Sequence, residues 1–322
     1  MSSVASKETG RLANKAAVSA CWTQWVCMGS LASPEGSRRA RSIIDPEALI
    51  LLSLYARDEE RRLLDMVAWW AQVGSHLTSL QRLRSVAKRF PGDTGEAGLG
   101  LFASFATEAG DRRWAKHADS SLRTAHRPGK GSDEPILTDA SALWPRLRAA
   151  FGVGAKADTL VFLLGLRGAL ANAKDISYAT GYSSVTSRSA AGDMALARLI
   201  RETGGRPVAY IAPPRPWAEL LDFYPSSQGR EAERGAPAWR FWSEVFAFLV
   251  GAVEWSRFAR AAGQKSPHVV ASRARDVLDR HRLSFDLNGI PTPPADAFLG
   301  LEAPRGLHET VRVVADWIDD RL

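Results

Sequence analysis

At 322 residues, 45% hydrophobic and 24% charged, the chain has the composition of a folded globular protein with room for two or three domains, not that of a disordered chain. Its formal charge of +7 and pI near 9.7 point to an acidic partner, with nucleic acid the first candidate. Two cysteines, Cys21 and Cys27, are too few for a disulfide framework, and on one helix they would face different ways. Reduced, buried thiols and a cytoplasmic location are expected. No signal peptide is legible, and the most apolar run, Phe241–Trp255, is interrupted by Glu244 and too short to span a bilayer.

Residues 1–10 are expected to fray, and Leu12–Leu31 to form a helix with Ala16, Ala17, Ala20, Trp22, Trp25 and Val26 along it. A polar linker, Ala32–Ser42, follows. Asp45 before Pro46 is a helix start, an N-cap with proline at the first helical position, and Pro46–Ala56 would bury Leu49, Ile50, Leu52 and Leu54. The next helix is Glu59–Val73, stopped by Gly74, and Thr78 or Ser79 caps another over Leu80–Phe90. That helix carries Arg82, Arg84, Lys88 and Arg89. It reads first as one arm of a helical hairpin with a solvated basic face, and alternatively as a helix touching phosphates. A helix over Leu99–His117 leads into Ser120–Pro135, which lacks apolar periodicity and is the best domain boundary in the chain. Leu143–Phe151 is a short helix anchored by Trp144.

The stretch Lys156–Arg215 is the organising one. Leu160, Val161, Leu163, Leu164 and Leu166 give a helix over Ala157–Arg167. Asn172 caps a short second helix with Ile176 and Ala179 inward, and Gly181 supplies the sharp turn after it. Ser183 or Ser184 caps a third helix with Val185, Ala190, Ala191 and Met194 inward. Two β-prone runs, Leu199–Thr203 and Val208–Ala212, flank Gly204-Gly205-Arg206-Pro207 as a hairpin. The stretch is net positive, eight Lys and Arg against four Asp and Glu.

Asp175-Ile176, Gly181-Tyr182-Ser183, the Ala190–Leu196 helix end and Leu199-Ile200 running into Gly204-Gly205-Arg206 together resemble a winged helix-turn-helix domain of bacterial transcriptional regulators. The resemblance covers about 60 residues of the chain. It implies a DNA-binding transcriptional regulator, bacterial and dimeric, reading double-stranded DNA with helix 183–194 and wing 199–212. The contact residues expected on that reading are Lys174, Ser183, Ser184, Thr186, Ser187, Arg188, Arg201 and Arg206, with short hydroxyls for close approach and arginines for phosphate or guanine. The different-class alternative is a non-catalytic protein-interaction subunit, an antitoxin-like or defence-complex adaptor that uses the winged helix to hold a partner protein.

Beyond Pro213-Pro214-Arg215-Pro216, a short helix over Trp217–Tyr224 and a polar loop, Pro225–Pro237, precede the aromatic-rich helix Ala238–Ala262, expected as core or dimer interface. Helices over His268–His281 and Leu307–Leu322 close the chain. The fold expected is mainly α, with a helical N-terminal domain (1–119), a linker (120–142), a central winged helix (143–215) and a helical C-terminal domain (216–322). An enzyme is not expected. His76, His117, His126, His268, His281 and His308 are scattered, no CxxC pair suggests zinc, and no phosphate-loop motif occurs. No catalytic residue, metal or cofactor is therefore expected.

Overall fold

The computed structural model describes residues 3–30, 40–119, 133–223, 236–262, 266–294 and 296–321. The chain is mainly helical with one small antiparallel sheet of three strands. The first part holds α1 (Ser3–Cys27), α2 (Pro46–Ala56), α3 (Arg62–Val73), α4 (Leu80–Ala87) and α5 (Thr94–Glu108). The middle runs α6 (Leu143–Phe151), α7 (Ala155–Gly165), β1 (Ala171–Asn172), α8 (Ala173–Thr180), α9 (Ser184–Leu196), β2 (Arg201–Glu202), β3 (Ala209–Ile211) and α10 (Pro214–Leu220). The last part is α11 (Trp242–Ala262), α12 (Pro267–Asn288) and α13 (Ala303–Arg321).

Two hydrophobic cores divide these elements. The larger joins both ends of the chain: Ala13, Ala17, Trp25, Leu49, Leu52, Trp70 and Phe102 share it with Trp242, Phe246, Phe248, Leu307 and Ile318. The residues expected to form separate N- and C-terminal domains thus contribute to one core. Helix α1 lies against α11 and α13. Small residues make that approach close, since a Cβ on Gly10 would run into the Ser256 side chain. Thr9 is fully buried and its Oγ1 lies 3.0 Å from His308 Nδ1, so the expected fraying of residues 1–10 gives way to helix from Ser3. Helix α11 is core, with Trp242, Phe246, Phe248 and Trp255 buried.

Helix α2 is buried on almost every side, and its start is the one the sequence signals: Asp45 Oδ1 accepts from the Ala48 amide at 3.0 Å with Pro46 at the first position. The helix expected over Leu99–His117 breaks at Gly110, whose φ of +98° ends α5, and Asp111 caps a separate 3-10 turn over Arg112–His117. Both cysteines are free and buried on α1, and burial pushes the Cys21 thiol up to about 12. No helix among the described residues is long and apolar enough to cross a membrane.

The smaller core gathers Leu143, Trp144, Leu160, Val161, Leu164, Ile176, Ala191, Met194, Tyr210, Trp217 and Trp239, with Ile43 reaching in from the segment before α2. It packs α6 through α10 around the sheet, whose order is β1-β3-β2. Ala171 pairs with Tyr210, and Arg201 with Ile211. Most of the linker Ala32–Ser42, most of the boundary segment Ser120–Pro135 and most of the loop Pro225–Pro237 lie outside the described residues.

Candidate nucleic-acid interface

Local chemistry fixes α8 and α9. Asn172 Oδ1 accepts from the amides of Lys174 (2.8 Å) and Asp175 (3.2 Å), while the Asn172 amide donates to Asp175 Oδ2 at 2.9 Å, a reciprocal capping box. Gly181 ends α8 at φ +80°, a left-handed conformation that glycine adopts without steric cost, and swings the chain toward α9. Ser183 then caps α9, its Oγ accepting from the Thr186 amide at 3.1 Å. The two helices therefore meet at an angle set by one glycine and two caps.

Of the eight expected contact residues, Lys174, Ser183, Thr186, Arg188, Arg201 and Arg206 are exposed, and Ser184 is half-buried. Ser187 is fully buried and its hydroxyl has no hydrogen-bond partner among the described residues. Its spacing to Ala190 and Ala191, three and four residues on, puts it on the inward face of α9, so it is no surface contact. Val185, expected inward, is 77% exposed for the converse reason. Arg188 lies within electrostatic reach of the sheet: burial and the Glu202 charge raise the Tyr210 phenol, while Arg188 lowers it. The side chains of Arg188, Arg201 and Arg206 have no hydrogen bond or ion pair among the described residues. The acid on α9, Asp193, is taken by Lys156 at 2.8 Å.

The unit bearing this face is bolted to the helical body by buried charge. Arg82 of α4 grips Asp45 with two bonds, Nη1–Oδ1 at 2.6 Å and Nη2–Oδ2 at 2.7 Å, and reaches Glu47 Oε2 at 2.9 Å. Arg148 of α6 grips Asp158 of α7 through Nε (2.7 Å) and Nη2 (2.8 Å), and reaches Glu47 Oε1 (2.5 Å) and the Leu77 carbonyl (3.0 Å). Trp144 Nε1 and Tyr182 Oη also donate to Asp158, at 2.7 and 3.1 Å. The Arg82 guanidinium lies 4.1 Å from the centre of the Trp144 ring. Burial alone would lower both guanidiniums, but Asp45 and Glu47 around Arg82, and Asp158 and Glu47 around Arg148, hold them above the ordinary arginine range. Burial, and then the Asp158 charge, push the Tyr182 phenol up. Glu47 is the shared pivot. It belongs to the body yet bonds the arginines of both units.

A second clamp lies beside it. Arg89 donates to the Tyr178 carbonyl of α8 at 2.9 Å and to Ser243 Oγ at 2.8 Å, and pairs with Glu244 at 3.1 Å. Glu244 also faces His281 Nδ1 at 3.4 Å. Burial would raise the Glu244 carboxyl, but His281 and Arg89 together hold it below its ordinary value.

These clamps correct the reading of α4. Arg84 and Lys88 are exposed, but Arg82 is buried, paired with Asp45 and Glu47 of the body and set against the Trp144 ring of the other unit, and Arg89 is half-buried and bonds across to the Tyr178 carbonyl. Glu47, Arg148 and Asp158 belong to no recognisable motif in the sequence. The available signal was their neighbourhood, since each lies in a helix whose surrounding positions are apolar, where a charge must be paired. No family model, curated protein or solved structure matches the chain.

Proposed function

We propose that residues 143–215 form a winged helix-turn-helix and that the protein is a DNA-binding transcriptional regulator, with α9 as reading helix and the β2–β3 hairpin as wing. The observation that carries the reading is the contrast in arginines. Arg82, Arg148 and Arg89 are held by carboxylates, whereas Arg188, Arg201 and Arg206 have no partner among the described residues. They lie at the start of α9 and on the hairpin that follows it. Supporting it are the order α7–β1–α8–α9–β2–β3, the sheet order β1-β3-β2 and the caps that expose the first turn of α9. A helix with one arginine releases few counterions, so a homodimer, which doubles the phosphate contacts, is part of the proposal.

A second reading has its own observation. Val185 (77% exposed), Leu196 (86%), Leu199 (37%) and Val208 (38%) place apolar surface on the same unit, which suits a protein partner better than phosphates. On that reading the chain is a non-catalytic interaction subunit.

A gel shift with the DNA upstream of the protein's own gene separates the two. Wild type is expected to give a specific shift at low salt that Arg188→Ala and Arg206→Ala each weaken. A specific shift that both variants leave intact, or no shift at all, rejects DNA reading through this face. Loss of a co-purifying protein on Val185→Asp or Leu196→Asp supports the interaction subunit instead.

A further inference from the structure

A second concentration of positive charge lies on the other core, in residues that the reading unit does not share. A groove of ≈ 500 Å³ runs between α1 and α11. Its walls carry Lys7, Arg11 and Lys15 from α1 and Arg257 and Arg260 from α11, against one lining carboxylate, Glu59. The α1 residues follow at every fourth position, so they stack on one helix face over about 12 Å. Like charges at this spacing repel and destabilise a helix, and no residue balances them: Lys7, Arg11 and Lys15 have no side-chain hydrogen bond or ion pair among the described residues.

The rest of the groove is held in place. Asn14 Nδ2 donates to Glu59 Oε1 at 2.7 Å, drawing that carboxylate to the neutral residue of the α1 face. Arg257 is steadied by Glu254 at 2.7 Å and by the Tyr55 hydroxyl at 3.2 Å. Arg260 Nε bonds the Ser256 carbonyl at 3.4 Å. Ser256 Oγ donates to the Ser6 carbonyl at 2.7 Å, tying the two helices together at the point where Gly10 lets them approach. Val18 and Val253 supply an apolar part to the lining.

We propose that this groove binds the phosphate groups of a small phosphorylated ligand of nucleotide size. The volume falls in the range of small-molecule sites. A row of three unpaired cations matches several linked phosphates better than a single carboxylate, and the arginine fork suits phosphate oxygens. The two valines give the non-phosphate portion a surface to cover. The assignment does not depend on DNA binding elsewhere.

Isothermal titration calorimetry of the full chain with adenosine triphosphate, and separately with inorganic triphosphate, tests it at low ionic strength. Both are expected to bind, the nucleotide more tightly because the valines contact its base or sugar. The Lys7→Ala/Arg11→Ala/Lys15→Ala triple variant should weaken both by roughly tenfold or more, and Arg11→Glu alone should weaken them if the triple variant melts early. Arg188→Ala/Arg206→Ala should leave both unchanged. No heat with either probe overturns the site, as does binding that survives the α1 variants or is lost with Arg188 and Arg206. A short DNA duplex is the remaining arm. If the α1 variants weaken duplex affinity but not triphosphate affinity, the groove is a nucleic-acid track and the small-ligand assignment falls.

Discussion

The buried junction and the exposed face of α9 use the same side chain in opposite ways. At the junction two arginines meet three carboxylates, all buried, and every guanidinium sits in a fixed geometry. On the α9 and hairpin face three arginines stand in solvent without a protein partner among the described residues. Taking charge out of water is costly, so the first arrangement persists only because the two guanidiniums, with the Ala48 and Ser79 amides, the Trp144 indole and the Tyr182 hydroxyl, together satisfy the three carboxylates, and it fixes how the two units sit against each other. The second leaves its donors unfilled. The lesson is that basic content alone does not locate a nucleic-acid face, and that pairing distinguishes structural arginines from available ones.

The largest effect should come from breaking the junction. Removing one partner leaves an uncompensated buried charge, so Glu47→Ala or Asp158→Ala should each cost about 3–5 kcal/mol of stability, read from urea denaturation. A loss of under about 1 kcal/mol in both would mean that the cluster is solvated in solution. On the other side of the comparison, Arg188→Ala should leave the urea midpoint essentially unchanged while lowering affinity for specific DNA by roughly five- to hundredfold for each half-site contacted, measured by fluorescence anisotropy. A destabilised Arg188→Ala would place that arginine among the structural ones.

Smaller effects sharpen the picture. Asn172→Ala removes a capping box and should cost about 1 kcal/mol, with DNA affinity falling only as far as α8 frays. The Arg89–Glu244–His281 clamp gives a pH signature. Because Glu244 is held below its ordinary value of 4.5, its contribution is complete above that pH and is lost as the pH falls through the depressed folded value. Thermal melts of wild type and Glu244→Gln should therefore converge on acidification. Parallel curves from neutral pH down to the acid limit would remove Glu244 from the coupling.

Legibility in the sequence followed the range of the interactions. Asp45-Pro46, Asn172 with Asp175, Gly181 and Ser183 act within four residues, so the elements they start or stop were readable. The small sheet was partly readable, because the Gly204-Gly205 turn marked the hairpin, while β1 at Ala171–Asn172 is too short to leave a pattern. The buried charge pairs depend on distant partners. Arg82 and Asp45 lie 37 positions apart and Arg148 and Glu47 lie 101 apart, and no local spacing encodes such pairs. Arg82 does occupy the inward face with Leu83, Val86 and Ala87, which is the local sign of its burial. Ser187 and Val185 take the faces opposite to those expected because α9 is rich in small residues, which blurs its inward stripe.

The most direct test is the salt dependence of binding to the upstream DNA, measured by anisotropy for wild type and for Arg188→Ala/Arg206→Ala. Removing one arginine–phosphate pair should make the slope of log affinity against log salt shallower by about one. A wild-type slope of several units that falls by about four in the double variant, two arginines in each protomer of the dimer, is the expected result. An identical slope in both, or binding with no preference for the specific sequence, would contradict DNA reading by this helix and hairpin.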